Sequence, residues 1–556
     1  LLLTACGGGS GTSPAISLSP PSDGALTIAA VQGRGASSPY VGEFVSLRGI
    51  VTGDFQDNDS DDSSNLGGFF IQQETPDGDA ATSDGIFVYD GKNPRVDVSI
   101  GDRVEVRGTV QEHFGETQIA NPTVRISGSG TVAATDVSLP AANIMTNSEG
   151  GLLADLEHLE GMLLRFTQPL TVTNLRDLER FGAISLSQGG RLYQFTNGNQ
   201  PSRAGYSSHK EANARRSLEL DDGLRAENPA SIRYLSSGAT PDYSIRAGDA
   251  ITGVTGNLRY SRGSGGNGAE TWRLMPTSEP VFDSLNPRPG APGTGGTLSV
   301  ASFNVLNFFT TVDTGASTCG PRKDDGCRGA DSTTELRRQI DKTSAALALM
   351  DADIVGLMEL ENNASESLRM IVDAVNDRTG SDSYAFLDTG VIRDDAIKTG
   401  FVYKRSTVEP VGDFALLDRR ADPRFNDSRN RPALAQSFRT VSGNAVLTVI
   451  VNHLKSKGSS CESDGDPNTS DGQGNCNRTR TSAAIAIADW IEEDPTGSGD
   501  PDFLVIGDLN AYTLEDPLRA LQNAGLTNLF AEDDEPYSFV FDKRAGALDH
   551  ALATKS

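Results

Sequence analysis

The stretch Phe503-Leu504-Val505-Ile506-Gly507-Asp508-Leu509-Asn510 decides how this chain is read. Four apolar residues, β-branched toward their end, stop at a glycine, which is the pattern of a buried strand. A carboxylate and an amide follow, two residues apart. On an extended backbone residues i and i+2 point to the same side. Asp508 and Asn510 are therefore expected to project together from the carboxyl end of a strand, where open α/β sheets place their chemistry. Taken alone, the segment reads equally well as a strand running into an Asx-turn.

Three further stretches repeat the arrangement. The apolar run 298–303 ends in Asn304-Val305-Leu306-Asn307, the run 353–358 leads to Glu359, and the run 445–451 leads to Asn452-His453. Helical periodicity fills the intervals at 332–350 and 480–492, so a sheet with covering helices is expected over the last 260 residues or so. Four strands that each end in polar residues make the rim of an active site the better reading. Glu359, Asn304, Asp508 and Asn510 offer the oxygen donors that a hard divalent cation prefers. His453 carries a group that moves protons near neutral pH. Arg431 can pair with a phosphate through two parallel hydrogen bonds, or it is a surface arginine before Pro432. Lys398 is a candidate substrate cation, or a solvated lysine.

The chain has 556 residues, too many for one core, so two or three domains are expected. Asp and Glu outnumber Lys and Arg 75 to 48, a net charge of −27. A protein that coats nucleic acid has the opposite sign. A metal-dependent enzyme is not excluded, because a cation and a local cluster of basic residues can hold phosphate. No apolar run is long enough to read as a membrane-spanning helix.

Four of the five cysteines form two close pairs, Cys319 with Cys327 and Cys461 with Cys476, across polar intervals rich in Gly and Asp. Short disulfide loops fit them, and hence an exported protein. Zinc is the rival, although neither interval has CxxC spacing or holds a histidine. Cys6 follows Leu1-Leu2-Leu3-Thr4-Ala5 and precedes a Gly/Ser/Pro tether, which resembles the end of a bacterial lipoprotein signal with Cys6 as the lipidated residue. The expected location is the cell surface or outer membrane, as an anchored lipoprotein, or the secreted fraction. In the loop 458–478, Asp464, Asp466 and Asp471 either hold a structural Ca²⁺ or belong to a solvated loop.

From Leu26 the pattern is β. The runs 44–51, 68–72, 85–89 and 104–110, separated by turn clusters, suggest a small barrel over 26–137. Residues 138–286 weakly echo it and are expected to form a second, decorated barrel, with 205–230 as a long polar loop. His113, His158 and His209 read as surface or core residues. A linker over 287–296 separates this half from 297–556.

The pieces SFNVLNFF (302–309), CRGADS (327–332), DADIVGLMELEN (351–362), NRPALAQSF (430–438), VNHLKSKGSSC (451–461), DGQGNCN (471–477), IGDLNAY (506–512) and ALDHALA (547–553) resemble the endonuclease/exonuclease/phosphatase superfamily. Within it they look like secreted ExeM/NucH-like bacterial nucleases, whose N-terminal OB-fold module the first β half resembles. The resemblance implies a multidomain protein: one or two N-terminal all-β OB-like barrels, then a four-layer α/β sandwich. It implies phosphodiester hydrolysis with Mg²⁺ or Mn²⁺, on DNA foremost and also RNA, with little sequence preference; a protein partner is not implied. Glu359 matches the main metal-binding glutamate and Asn304 its neighbour. Asp508 and Asn510 match the pair that orients the attacking water and contacts metal or phosphate. His453 matches a catalytic histidine, Asp549 the aspartate that holds a final histidine, and Arg431 a phosphate contact. Asn307 and Lys398 stand with Arg431 as substrate-binding candidates. Such chains normally close with Ser-Asp-His. The residues given stop at Ser556, seven past Asp549, so the resemblance expects a missing last strand, and activity of this stretch alone is in doubt. His550 reads as an ordinary neighbour of Asp549. The alternatives are a phosphoesterase of the same fold acting on a small or lipid phosphodiester, and a non-enzymatic surface protein that binds DNA.

Overall fold

The computed structural model describes residues 24–57, 66–229, 232, 234, 245–266, 268–288, 290, 295–532 and 536–555. Cys6 and the tether, and part of the 287–296 linker, lie outside the described residues. The chain divides into two compact units. One takes the residues up to Gly190 together with Asn213–Leu285, and the other takes Arg191–Ala212 together with Asn286–Ser556.

In the first unit the alternating runs become five strands: β1 (Phe44–Phe55), β2 (Gly68–Gln72), β3 (Gly85–Tyr89), β4 (Asp102–His113) and β5 (Glu116–Ser129). They close into a barrel in the order β1-β2-β3-β5-β4. Inward residues such as Leu47, Phe69, Ile71, Val88, Val106 and Ile119 fill it. The region that follows is a nine-stranded sheet, not the second barrel that the echo suggested. Its core includes Phe166, Leu258, Trp272 and Leu274. Short apolar runs specify strands, but which edges pair is set by partners far away in sequence. The expected loop at 205–230 begins in a helix, Arg203–Arg215, and continues as the strand Ser217–Asp221.

The second unit carries two mixed sheets. The smaller contains β6 (Val300–Phe308), β7 (Ile354–Glu361), β8 (Tyr384–Phe386) and β9 (Ile397–Lys404), in the order β6-β7-β9-β8. The larger contains β10 (Val408–Leu417), β11 (Arg431–Thr440), β12 (Val446–His453), β13 (Phe503–Asp508), β14 (Thr527–Asn528) and β15 (Asp549–Ala553), in the order β10-β11-β12-β13-β15-β14. Ile354, Met358 and Phe401 of the first sheet pack against Leu434, Val449, Val451 and Ile506 of the second. Gly356 permits the close approach: a Cβ there would lie 2.6 Å from Ile506 Cδ1. Helices α1 (Thr333–Met350) and α2 (Glu366–Thr379) cover the outer face of the smaller sheet through Leu347, Leu368, Ile371 and Val375. Helices α3 (Asn477–Glu492) and α4 (Asp516–Asn523) cover the larger through Ile487, Trp490, Leu518 and Leu521. This is helix on sheet on sheet on helix, the four layers expected.

Both cysteine pairs are disulfides, Cys319–Cys327 and Cys461–Cys476. No helix among the described residues is long and apolar enough to cross a membrane.

Candidate metal and phosphate site

Strand register gathers the polar residues. Arg431 pairs with His453 across β11 and β12, His453 with Asp508 across β12 and β13, and Asp508 with Asp549 across β13 and β15. Four neighbouring strands thus present one row of side chains at one end of the larger sheet. The smaller sheet supplies the facing group. Asn304 on β6 is level with Met358 on β7, and Glu359 follows.

Glu359 is held from two sides. Its Oε1 accepts from Asn304 Nδ2 at 3.2 Å and its Oε2 from the Asn307 backbone N–H at 2.8 Å. The backbone is bent to do this: Leu306, Asn307 and Glu359 have φ values of 51°, 53° and 63°. Asn510, at φ 48°, is in the same left-handed region. Such conformations are costly for side chains other than glycine and concentrate at functional sites. Asn510 donates its N–H to Asp508 Oδ1 at 2.8 Å and its Nδ2 to the Leu454 carbonyl at 3.1 Å. The amide therefore stiffens the turn after β13.

His453 Nε2 lies 3.9 Å from Glu359 Oε1 and 3.7 Å from Asp508 Oδ2. Arg431 approaches the same nitrogen from behind, 3.4 Å away, and its Nε lies 3.2 Å from Asp395 Oδ2. Burial, then the positive charges of Arg431, Arg328 and Lys455, pull the His453 pKa well below its usual value, so the imidazole is neutral. The carboxyls go the other way. Asp508 is raised well above the ordinary range by burial, then by Asp549 and Glu359. Asp549 is raised by burial and by Glu359.

One ligand atom each from Glu359, His453 and Asp508 falls within a span of 4.8 Å, the one such group of His, Cys, Asp or Glu among the described residues. Buried His453 Nδ1 and Asp549 Oδ1 have no hydrogen-bond partner. Crowded carboxylates of high pKa, an unprotonated imidazole and orphaned polar atoms fit a divalent cation of the Mg²⁺ or Mn²⁺ kind.

Of the residues singled out from sequence, Asn304, Glu359, Arg431, His453, Asp508, Asn510 and Asp549 come together. Asn307 contributes its backbone N–H. Lys398 does not join them. It is 2% exposed, and its Nζ donates to the carbonyls of Ala364 and Gly390 at 2.7 and 2.6 Å and to Thr389 Oγ1 at 3.1 Å. Its donors are spent on two loops, which corrects the substrate-binding expectation. The expected calcium loop is also committed internally. Asp464 pairs with Arg429, Asp466 accepts the N–H groups of Arg478 and Thr479 at the start of α3, and Asp471 accepts from Gln473.

Three participants escaped the sequence reading. Arg328 follows a disulfide cysteine and lies 3.8 Å from Asp395. Asp395 sits in a loop without any motif. Ser538 Oγ accepts the backbone N–H groups of Leu548 and Asp549 at 3.0 and 3.1 Å. The CRGADS motif was the available signal for Arg328, and nothing pointed to the other two.

Comparison with known proteins gives the Endonuclease/Exonuclease/phosphatase family over residues 301–556. No curated protein sequence matches the chain. Similar solved structures include an endonuclease/exonuclease/phosphatase family protein from Bacteroides thetaiotaomicron, at 15% identity and TM-score 0.32, covering 47% of this chain and 83% of that one. D. rerio TDP2 humanized by 14 mutations shows 16% identity and TM-score 0.31 over 47% and 84%. A mannosyl-6-phosphatase from Bacteroides thetaiotaomicron VPI-5482 shows 15% and 0.31 over 47% and 86%.

Proposed function

Because residues 301–556 carry an endonuclease/exonuclease/phosphatase domain, we propose that this protein hydrolyses phosphodiester bonds of extracellular nucleic acid, DNA foremost, with a divalent metal and little sequence preference. The observation that carries the reading is the row Arg431, His453, Asp508 and Asp549 on one sheet, with Glu359 facing it from the other.

Glu359 and Asp508 would hold Mg²⁺ or Mn²⁺, with Asn304 and Asn510 beside them. Bound there, the cation polarises a phosphoryl oxygen and stabilises the leaving oxyanion. The chain's own groups do the rest. Asp508, fixed by the Asn510 N–H, and Asp549 are the carboxylates available to orient water and take its proton. Neutral His453 accepts or relays a proton at Nε2. Arg431, braced by Asp395, offers guanidinium N–H groups to a phosphate oxygen. Two disulfides support an exported protein, and the closed barrel with the strand order β1-β2-β3-β5-β4 supports an OB-like module in the first unit. A surface or outer-membrane lipoprotein anchored through Cys6, or a secreted form, fits the same setting.

Supercoiled-plasmid nicking by this chain, with Mg²⁺ and with EDTA, tests the reading. Metal-dependent nicking that Glu359→Gln reduces by about 100-fold or more is expected, in line with the loss of a charged metal ligand. A folded protein that cuts neither DNA nor RNA would remove it, and small phosphodiesters would be the next substrates.

A further inference from the structure

Residues 191–212 precede the linker by more than 70 positions, yet they belong to the same compact unit as the candidate site. Tyr193 forms a parallel bridge with Ala545 in the strand Arg544–Gly546. Ala545 N–H donates to the Leu192 carbonyl and the Gln194 N–H to the Ala545 carbonyl, both at 2.8 Å. A one-turn helix, Phe195–Gly198, then turns the chain inward.

At that turn Asn197 joins three separate loops with one side chain. Its Oδ1 accepts the Ala547 N–H at 2.9 Å and the Thr513 hydroxyl at 3.4 Å, and its Nδ2 donates to the Pro536 carbonyl at 2.9 Å. Each loop leads to the site. Thr513 is three residues beyond Asn510, Ala547 is two before Asp549, and Pro536 is two before Ser538, whose hydroxyl accepts the Asp549 N–H. Beside it, fully buried Thr196 donates to Glu515 Oε1 at 2.7 Å, and its carbonyl accepts the Leu514 N–H at 3.0 Å. Glu515 is itself buried against Lys457 and Arg480.

We propose that Asn197 is a positioning residue for the site: it fixes Asn510 and Asp549 relative to each other by clamping the loops that carry them. The clamp acts only through these loops. Asn197 touches no reacting atom, and its amide supplies a donor and an acceptor on opposite sides, which Ala cannot. A buried N–H and a buried carbonyl that lose their partner will move until they find another. Here that movement is transmitted over two or three residues to the carboxylate and the amide of the site. Residues 297–556 contain every clustered side chain but lack this clamp, so the catalytic unit is larger than its sequence motifs suggest.

The inference rests on the reading of the site as a metal-dependent phosphoesterase, and its test separates the two. Mn²⁺ affinity of the full chain, followed by electron paramagnetic resonance, is measured beside plasmid nicking and thermal unfolding. Asn197→Ala is expected to weaken Mn²⁺ binding and lower kcat by about 10- to 100-fold, the range for residues that orient metal ligands, with KM little changed. Asn197→Asp, which keeps the acceptor toward Ala547 and Thr513, should recover part of both. Arg203→Ala removes a bond to the Thr469 carbonyl on the same segment, away from the site, and should leave both unchanged. If Asn197→Ala does not fold, Thr513→Val carries the same expectation with a smaller loss, because its bond to Asn197 is the longest of the three, at 3.4 Å. Wild-type Mn²⁺ affinity and kcat in a folded Asn197→Ala protein would overturn the inference, as would losses that only track unfolding. If the unaltered chain neither binds Mn²⁺ nor cuts any phosphodiester, it is the functional reading that fails.

Discussion

Lys398→Met separates a buried brace from a substrate contact. The ammonium donates three hydrogen bonds, two of them to carbonyls at 2.6 and 2.7 Å. Bonds from a charged donor contribute about 1.5–3 kcal/mol each. Against them stands the cost of burying the charge. Burial pulls the Lys398 pKa down from 10.5 to about 8, which corresponds to about 3 kcal/mol at 1.36 kcal/mol per unit. The difference leaves the lysine stabilising by about 3 kcal/mol. Methionine fills similar space but orphans two carbonyls and a hydroxyl. For a unit of this size the loss should lower the melting temperature by about 6–10 °C. The assay is thermal unfolding followed by tryptophan fluorescence, together with plasmid nicking at a temperature where the variant is still folded. There the substrate KM should equal that of the unaltered protein. An unchanged melting temperature with a KM raised tenfold would refute the argument and place the ammonium on the substrate.

Opening the second disulfide should be costly as well. Replacing Cys461 and Cys476 by serine frees a loop of 15-residue separation, and such a closure is worth about 3 kcal/mol; chemical denaturation of the double variant measures it. In the first unit, burial and then Glu112 and Asp155 raise the Glu157 carboxyl from 4.5 to about 7. The native state therefore holds a proton that the unfolded chain has released between these values, and stability from this group is present below pH 4.5 and lost as the pH rises toward 7. Glu157→Gln should flatten that slope in denaturation curves taken from pH 4.5 to 7.5, and an unchanged slope would locate the proton elsewhere.

Local pattern carried the ends of four strands. Alternation or continuous apolar character marked 503–506, 353–358 and 445–451 as buried strands, and the polar residue after each lies in the candidate site. What local pattern could not supply was register. That Arg431, His453, Asp508 and Asp549 form one row depends on strand pairings that join residues 22, 55 and 41 positions apart. The Glu359 bulge and the Asn197 clamp depend on the same long-range fit. Lys398 misled for a related reason: a lysine in an apolar strand looks the same in sequence whether its ammonium reaches solvent or ends under two loops. The nine-stranded sheet was misread because strands of two to eight residues announce themselves but not their neighbours.

The net charge of −27 is the feature most at odds with a polyanionic substrate. Charge composition bears on binding only within reach of the bound phosphate, because exposed charges more than about 8 Å away are screened at physiological salt. Within that reach the site is divided. Arg431, Arg328 and Lys455 add to burial in pulling the His453 pKa down, so positive charge lies against the imidazole. A few ångströms on, burial and then the Asp549 and Glu359 carboxylates raise the Asp508 pKa, and burial and Glu359 raise that of Asp549, so the potential there is negative. One end suits a phosphate oxygen and the other a cation. A divalent ion at the carboxylates would remove the repulsion that they exert on a phosphodiester, and cation and substrate binding should reinforce each other. An acidic surface then counts against a protein that coats DNA along its length and is compatible with one that holds a single phosphate at a time.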